Sequence, residues 1–214
     1  MQRILRGYWR SSSSWRVRIA LNWKGLSYET VPVHLVADGG HQHRPEHRAL
    51  NPMGQVPVLL EDDFALSQSV AILEYLEERH PEPPLLPSNP RERARVRQLT
   101  EVINSGIQPI QNLSVMQRLK GEFGLTPEQV QAWSRGWITE GFVALEALVT
   151  EVGGRCCVGN AVSFADLCLV PQLYNARRFD VDLSQFPRLL AIEEDLETLP
   201  AFAAAHPREQ PDAA

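Results

Sequence analysis

Hydrophobic positions in the first eighty residues change their spacing in an order that predicts alternating strands and helices. Residues 3–9 and 28–35 are short and rich in β-forming side chains. Between them, Trp15, Ile19 and Trp23 recur at the spacing of one helix face. This part of the chain therefore predicts a strand–helix–strand unit.

A second group of strands is predicted after a polar stretch. Residues 51–60 predict a turn that leads into a strand, and 64–66 predict the returning strand of a hairpin. Ser67 predicts the cap of a helix that runs through 71–76. Pro32 places the earlier strand at the sheet edge, because proline cannot donate to a central ladder. The order βαβ then ββα predicts a small mixed α/β sheet flanked by helices.

Prolines mark the end of this first domain. Five of the eleven residues from 80 to 90 are proline, which predicts a stiff, extended linker. Helical patterns follow over 91–120, 126–151, 163–178 and 185–205. We therefore predict an α/β domain over 1–81, a linker over 82–90 and an all-α domain over 91–214.

Composition and charge narrow the class of protein. Hydrophobic residues make up 43% and charged residues 22% of the chain, as in ordinary globular domains. The net charge is −5 and the basic residues are scattered, which argues against nucleic acid as a partner. No apolar run has the length of a membrane span, and the first residues lack a signal-peptide pattern.

Cysteine and histidine usage adds two expectations. Cys156, Cys157 and Cys168 are odd in number and clustered late, so they predict a reducing cytoplasm rather than a disulfide framework. Three histidines lie close together in a polar, Gly-containing stretch at 41, 43 and 47. They lack the cysteine or carboxylate pattern of a structural zinc site, so no metal is predicted.

Four serines, Ser11, Ser12, Ser13 and Ser14, stand at the head of the first predicted helix. The N–H groups there are unsatisfied and the helix dipole is positive, so the position stabilises an anion such as a thiolate. Lowering a thiol pKa by one unit needs about 1.4 kcal/mol of differential stabilisation. Taken alone, however, a run of serines is better explained as a helix cap.

Two further motifs follow in the order that one binding site requires. Val56-Pro57 lies between a turn and a strand, where a cis bond would turn the main-chain N–H and C=O of Val56 toward an extended peptide. Gln68 and Ser69 open a helix, and their donors are suited to the carboxylate of a γ-glutamyl group. Together with the serines, these motifs predict one site for a peptide-like thiol.

These motifs resemble those of the zeta-class glutathione transferases, the maleylacetoacetate isomerase family. The matching segments are 11–21 (SSSSWRVRIAL), 51–57 (NPMGQVP), 107–114 (IQPIQNLS), 165–172 (ADLCLVPQ) and 206–212 (HPREQPD). The resemblance covers essentially the whole chain. It implies a thioredoxin-like α/β N-terminal domain, an all-α C-terminal domain, glutathione as the cofactor and a homodimer.

The resemblance also implies roles for individual residues. The catalytic contact with the thiolate falls on Ser11, with Ser12 and Ser13 beside it. Ser13 is a departure, because the family usually has cysteine there, so this site would rely on hydroxyl groups. The other implied contacts with glutathione are Ser14, Trp15, Arg16, Gln42, Val56, Gln68, Ser69, Gln108, Asn112, Leu113 and Ser114.

Two arginines are implied in binding the substrate. Arg178 matches an arginine that holds the substrate carboxylate, and Arg10 lies near the same mouth. Arginine suits this role because its guanidinium binds a carboxylate through two parallel hydrogen bonds. The alternative for Arg178 is a surface salt bridge, to Asp180 or Asp182.

The implied reaction is glutathione-dependent cis–trans isomerisation of a small dicarboxylate, maleylacetoacetate, by thiolate addition, bond rotation and elimination. Three alternatives stay open: isomerisation of maleylpyruvate, transfer of glutathione to an α-halo acid, and a glutathione-fold interaction protein without activity. Leu113 and Ser114 stand where the maleylpyruvate branch favours basic residues, which favours maleylacetoacetate. The intact serines argue against a protein without activity.

Overall fold

In the computed structural model, which describes residues 2–213, a mixed sheet of four strands forms the centre of the first unit. The strands are β1 (Arg3–Gly7), β2 (Glu29–Pro32), β3 (Val58–Glu61) and β4 (Phe64–Ser67). Their order is β2-β1-β3-β4, with β1 and β2 parallel and the other pairs antiparallel. The proline-containing β2 lies at the edge of the sheet, as predicted.

Helices make up most of the remaining structure. In chain order they are α1 (Ser12–Trp23), α2 (Pro45–Leu50), α3 (Ser69–Arg79), α4 (Pro90–Glu101), α5 (Leu113–Gly121), α6 (Pro127–Val152), α7 (Phe164–Arg178), α8 (Pro187–Glu197) and α9 (Pro200–Ala205). A π-helical segment (Val102–Ile107) continues α4, and 3-10 turns occupy Ala37–Gly39, His41–His43, Leu183–Gln185 and Pro207–Glu209.

The first helix of the sheet unit begins at a serine cap, as the sequence predicts, and ends at a glycine. Ser11 caps α1, and its hydroxyl oxygen accepts a hydrogen bond from the Ser14 N–H at 3.2 Å. Gly25 follows the helix with φ 65°, and the Leu26 N–H returns to the carbonyl of Leu21. Glycine adopts this left-handed conformation without steric cost, so the helix stops there.

The helix α3 begins differently from the prediction. Its N-terminal cap is Gln68, with φ 72°, and not Ser67, which is the last residue of β4. The Gln68 side chain makes no capping hydrogen bond. The strand thus extends one residue further than the pattern indicated, and the turn into α3 is made by a left-handed residue.

The predicted helix over 91–120 is divided in three. The segment from Val102 to Ile107 is π-helical, and regular helix resumes only at Leu113. Pro109 lies in the break, because proline lacks the N–H that a continuing helix needs. In contrast, Pro171 is kept inside α7.

The helix α7 begins with a capping box formed by Ser163 and Asp166. The carboxylate of Asp166 accepts hydrogen bonds from the Ser163 N–H and the Cys157 N–H, both at 2.8 Å. The Ser163 hydroxyl also donates to it, at 2.7 Å. These three hydrogen bonds give Asp166 a structural role at the start of a buried helix.

The chain divides into two units at positions that differ from the predicted limits of 1–81, 82–90 and 91–214. One unit contains the residues up to Pro84 together with those from Thr198 onward, and the other contains Leu85–Glu197. The C-terminal segment belongs to the sheet unit because α9 packs against α1. The amphipathic pattern of 185–205 does not reveal this, since it predicts helices but not their partners.

Candidate functional site

The register of the sheet brings the three predicted motifs to one end of it. Arg6 pairs with Val58, and Val58 pairs with Ser67. The chain leaves β1 toward the serines, enters β3 from Val56-Pro57 and leaves β4 into Gln68 at this same end. Because β1 and β3 are antiparallel, residues after β1 and before β3 must lie side by side.

The N-terminus of α1 offers main-chain donors at this end of the sheet. Among residues 2–213, the N–H groups of Ser12 and Ser13 have no hydrogen-bond partner. Ser11 and Ser13 are half-buried, whereas Ser12 is buried. Two unsatisfied donors and the positive end of the helix dipole favour an anion here.

The next three predicted contacts are inside the unit. Ser14 is fully buried, and its hydroxyl oxygen accepts a hydrogen bond from the Tyr8 N–H at 3.4 Å. Trp15 and Arg16 are also buried, with relative exposures of 2% and 0%. These side chains support α1 from within, and the structure does not bring them to the open end of the helix.

The Val56-Pro57 peptide bond is cis, as predicted. The N–H and C=O of Val56 have no hydrogen-bond partner within the described residues. The preceding carbonyl, of Gln55, accepts two hydrogen bonds: from His47 Nε2 at 2.9 Å and from Asn51 Nδ2 at 2.9 Å. One carbonyl is thus fixed by two donors, beside main-chain groups that are available to a peptide.

The sequence pattern distinguishes His47 only as one of three neighbouring histidines. It is fully buried, and its Nδ1 has no partner among residues 2–213. Burial lowers the pKa of His47, an effect opposed by the hydrogen bond to Gln55 and reinforced by the nearby charge of Arg6. A neutral ring with its proton on Nε2 satisfies these contacts, since a carbonyl can only accept.

The turn into α3 presents a second set of donors. Gln68 has φ 72°, a conformation that costs a residue with a side chain about 1–3 kcal/mol and persists mainly at functional sites. Its side chain is exposed, whereas Ser69 is 6% exposed. The N–H groups of Ser69, Val70 and Ala71 have no partner among the described residues, so this helix start also favours an anion.

Gln42 contributes a buried acceptor. Its Nε2 donates to the carbonyl of Leu35 at 3.2 Å and contacts His43 Nε2 at 3.1 Å. Its Oε1 is buried and has no partner within residues 2–213. An unsatisfied buried acceptor is costly, so a ligand donor at this point would remove a penalty.

The predicted contacts of the second unit cluster at the break between the π-helical segment and α5. The Gln108 N–H donates to the carbonyl of Ile103 at 2.8 Å and so closes the π-helical segment. Asn112 caps α5, and its Oδ1 accepts from the Ser114 N–H at 3.4 Å. Leu113 is half-buried and Ser114 is exposed.

Arg178 lies at the C-terminal end of α7 and is exposed. Its Nη1 donates to Asn175 Oδ1 at 3.2 Å, and its guanidinium lies 5.7 Å from the Phe179 ring. The carboxylates suggested as salt-bridge partners are engaged elsewhere. Asp180 accepts from Gln131 Nε2 at 2.6 Å, and Asp182 accepts from the N–H and hydroxyl of Ser184 at 3.1 and 2.6 Å.

Arg10 follows directly on the loop after β1. Its guanidinium lies over the indole of Trp9, 5.1 Å from the ring centroid. Stacking of this kind holds a cation without neutralising it. Arg10 is therefore oriented one residue before the cap of α1.

The cysteines do not provide a nucleophile. All three are buried. Burial and the nearby carboxylate of Asp166 raise the pKa of Cys156 to about 12 and raise that of Cys157 as well. Thiols of this kind stay protonated at neutral pH.

The described residues contain neither a candidate metal site nor a candidate membrane span. Over residues 2–213, no group of three or more histidine, cysteine or acidic side chains is placed to hold a metal ion. Within the same range, no helix is long and apolar enough to cross a bilayer. The three histidines near position 43 are instead engaged with protein partners.

The sheet order, the cis proline before β3 and the paired helix N-termini define a thioredoxin-like domain of the glutathione transferase type. Residues 5–84 match the family described as "Glutathione S-transferase, N-terminal domain". The maleylacetoacetate isomerase of Mus musculus is 52% identical over 98% of this chain and 94% of its own. This similarity covers both units.

Solved structures agree with that relationship. The holo structure of a bacterial zeta-class maleyl pyruvate isomerase has a TM-score of 0.95 at 41% identity, covering 99% of this chain and 100% of its own. A maleylacetoacetate isomerase from Methylobacterium extorquens AM1, with bound malonate and GSH, has a TM-score of 0.94 at 41% identity, covering 99% of both chains. The chain belongs to the zeta class of glutathione transferases, the maleylacetoacetate isomerase family.

Proposed function

We propose that this protein catalyses the glutathione-dependent cis–trans isomerisation of maleylacetoacetate to fumarylacetoacetate. The observation that carries the proposal is the gathering of the serine run, Val56-Pro57 and Gln68-Ser69 at one end of the sheet. The 52% identity to the Mus musculus isomerase supports the choice of reaction.

The residues at that end fit the parts of glutathione. The unpaired N–H and C=O of Val56 suit its peptide backbone, because an extended peptide pairs with such groups as a strand does. The first turn of α3 and the side chains of Gln68 and Ser69 suit its γ-glutamyl carboxylate. Gln42 Oε1 supplies an acceptor for one of its N–H or ammonium donors.

The N-terminus of α1 suits the sulfur. Bound glutathione supplies a thiolate that adds reversibly to the cis double bond, so that the bond rotates before the thiolate leaves. The Ser11 hydroxyl and the N–H groups of Ser12 and Ser13 lower the pKa of that thiol by stabilising its anion. Ser13 adds a hydroxyl where the family usually has a thiol, so the anion rests on oxygen and nitrogen donors.

Arg178 and Arg10 suit a substrate with two carboxylates. The Arg178 guanidinium lies 5.7 Å from the centroid of the Phe179 ring, and the Arg10 guanidinium lies 5.1 Å from the centroid of the Trp9 ring. Stacking uses the face of a guanidinium, whereas a carboxylate binds in the plane of its N–H groups. A dicarboxylate, malonate, is present with GSH in the Methylobacterium extorquens relative.

The closest competing substrate is maleylpyruvate. A zeta-class relative with 41% identity to this chain is a maleyl pyruvate isomerase, which supports this substrate as the alternative. At the start of α5 this chain has Leu113 and Ser114, and neither carries a positive charge. The absence of basic residues at these two positions supports maleylacetoacetate, because the resemblance assigns basic residues there to the maleylpyruvate branch.

One assay with parallel arms tests the proposal. The protein is mixed with maleylacetoacetate and a catalytic amount of glutathione, and both the fumaryl product and total glutathione are measured. Isomerisation without loss of glutathione supports the proposal. Faster turnover of maleylpyruvate in the second arm would replace the proposal with that alternative, and so would consumption of glutathione with an α-halo acid in the third arm without isomerisation in the first, whereas transfer beside isomerisation would be a side activity.

We further infer a cytoplasmic homodimer. The three buried thiols suit a reducing compartment. On the sheet unit, Met53 is 65% exposed and Phe64 is 45% exposed, and large apolar side chains of this kind favour an interface. Light scattering coupled to gel filtration decides the assembly, and a monomer at micromolar concentration would contradict it.

A further inference from the structure

The loop between β1 and α1 is held by charged side chains from elsewhere in the sheet unit. The Trp9 N–H donates to Asp212 Oδ2 at 3.1 Å, and the Trp9 carbonyl accepts from Arg18 Nη2 at 2.9 Å. Arg18 Nε donates to the carbonyl of Ala205 at 3.1 Å. Both main-chain groups of Trp9 are thus bound by side chains of opposite charge.

The two charged side chains reinforce each other. Arg18 is 2% exposed, and burial lowers its pKa to about 10, against the opposing influence of Tyr28 and Asp212. A buried guanidinium needs compensation, and the carboxylate of Asp212 supplies part of it. Without that carboxylate, the Arg18 guanidinium would keep its hydrogen bonds to main-chain carbonyls but would lose a compensating negative charge.

The C-terminal segment that carries Asp212 is itself fixed. Gln210 Nε2 donates to the carbonyls of Ala204 and His206, at 3.1 and 2.9 Å. The His206 and Trp15 rings are nearly perpendicular, and their centroids lie 5.2 Å apart. Asp212 therefore reaches Trp9 from a segment that is ordered by its own contacts and by α1.

Trp9 connects this anchor to the proposed site. Its indole supports the guanidinium of Arg10, and the Ser11 N–H donates to the carbonyl of Tyr8 at 3.0 Å across the same turn. A displacement of Trp9 would move Arg10 directly and would tilt the turn that ends in the Ser11 cap. Small displacements matter, since misplacement of a reacting group by about 1 Å can cost on the order of a hundredfold in rate.

We propose that Asp212 is a positioning residue for the active site, which it orients through Trp9 without contacting either ligand. The inference rests on the proposed function, because it assigns Ser11 to the thiolate and Arg10 to the substrate. It adds that the segment around Asp212 helps to order the site of the sheet unit. Nothing in this role requires Asp212 to touch glutathione.

The test compares Asp212→Ala and Asp212→Asn in the full chain. Asparagine keeps an oxygen at the position of Oδ2 but removes the charge that compensates Arg18, so it isolates the electrostatic part. We expect Asp212→Ala to lower kcat/KM about tenfold, with a higher KM for the dicarboxylate and a higher pKa of the bound thiol. We expect Asp212→Asn to lower kcat/KM by about threefold, a smaller loss because the amide oxygen can still accept from the Trp9 N–H.

Asn89→Ala serves as the control for lost stability alone. Asn89 caps α4 through hydrogen bonds from Arg91 and Glu92, and such a cap is worth about 1 kcal/mol. This variant should melt earlier while its KM and the pKa of bound glutathione stay unchanged. If Asp212→Ala behaves in the same way, Asp212 is structural only and the proposal is overturned.

A second variant and a readout that does not need isomerase activity let the experiment decide the role of Asp212. If Asp212→Ala does not fold, Asp212→Asn decides, because a reduced kcat/KM together with a raised pKa of the bound thiol supports the proposal, and unchanged kinetics contradict it. The thiolate absorbance of bound glutathione requires no isomerase activity. If the unchanged protein binds glutathione but does not isomerise maleylacetoacetate, the proposed reaction fails while the effect of Asp212 on the thiol is still measured.

Discussion

His47 Nε2 donates to the carbonyl of Gln55 at 2.9 Å, one residue before the cis bond between Val56 and Pro57. The contact joins a fully buried ring to the segment proposed to pair with glutathione. Asn51 reinforces it from the same side. Protonation of His47 would add a charge and a buried N–H on Nδ1 that has no acceptor among the described residues.

This arrangement predicts how stability depends on pH. Burial lowers the pKa of His47 below its ordinary value of 6.5, so the unfolded chain takes up the proton first as the pH falls. The contribution of His47 is therefore complete above about pH 6.5 and is lost below it. Urea unfolding between pH 5.5 and 8 should show a lower free energy of unfolding toward acid.

His47→Gln tests the assignment, because its amide offers a donor to Gln55 but does not titrate. The variant should have a shallower slope of unfolding free energy against pH, although not zero, since burial also lowers the pKa values of His80 and His206. One proton changes the slope by at most about 1.4 kcal/mol per pH unit. An identical slope in both proteins would assign the acid sensitivity to other groups.

Ser11→Ala should raise the pKa of the bound thiol and reduce turnover near neutral pH. The lost hydrogen bond to a charged sulfur is worth about 1.5–3 kcal/mol, or roughly ten- to a hundredfold. The variant also loses the cap of α1, so Thr126→Ala, which removes the cap of α6, is a suitable control. Unchanged thiolate absorbance in Ser11→Ala would shift the role to Ser12 or Ser13.

The pair of substitutions Gln68→Gly and Ser69→Ala should weaken glutathione binding more than the saturated turnover. Their proposed contact is with the γ-glutamyl end, remote from the sulfur, so it contributes to binding but not to the chemical step. Glycine is chosen because Gln68 has φ 72°, which glycine adopts without strain. Calorimetry that found unchanged affinity would remove these residues from the site.

Arg178→Lys should raise the KM for maleylacetoacetate, and Arg178→Met should raise it further. Lysine keeps a charge but loses the two-pronged geometry with a carboxylate. Arg177→Lys is the neighbouring control, since Arg177 binds Glu193 through both terminal nitrogens. Unchanged kinetics in Arg178→Met would leave Arg10 as the arginine to test, and a change in glutathione affinity would contradict the assignment to the substrate.

Local signals explain what the sequence could predict. The position of Pro32 at the sheet edge and the cis bond before Pro57 each depend on neighbouring residues. Such features can be predicted because the residues that cause them lie within a few positions of one another in the sequence. The antiparallel pairing of β1, β3 and β4 then brings the three motifs to one end of the sheet.

The features that were missed depend on distant partners. Arg18 reads as one polar position on a helix, yet it is buried against the carbonyls of Trp9 and Ala205. His47 gains its role only once the carbonyl of Gln55 is turned toward it. The capping role of Ser67 was wrong because β4 extends to that residue, which shifts the turn to Gln68.

The position of α9 on α1 has a consequence for biosynthesis. The sheet unit is discontinuous in sequence, whereas the helical unit is one uninterrupted stretch, Leu85–Glu197. Domains generally fold as they emerge from the ribosome, N-terminal first. Here the sheet unit lacks α9 and Asp212 until the residues from Thr198 onward have been synthesised, so we expect α1 to acquire its complete environment only after the whole helical unit has emerged.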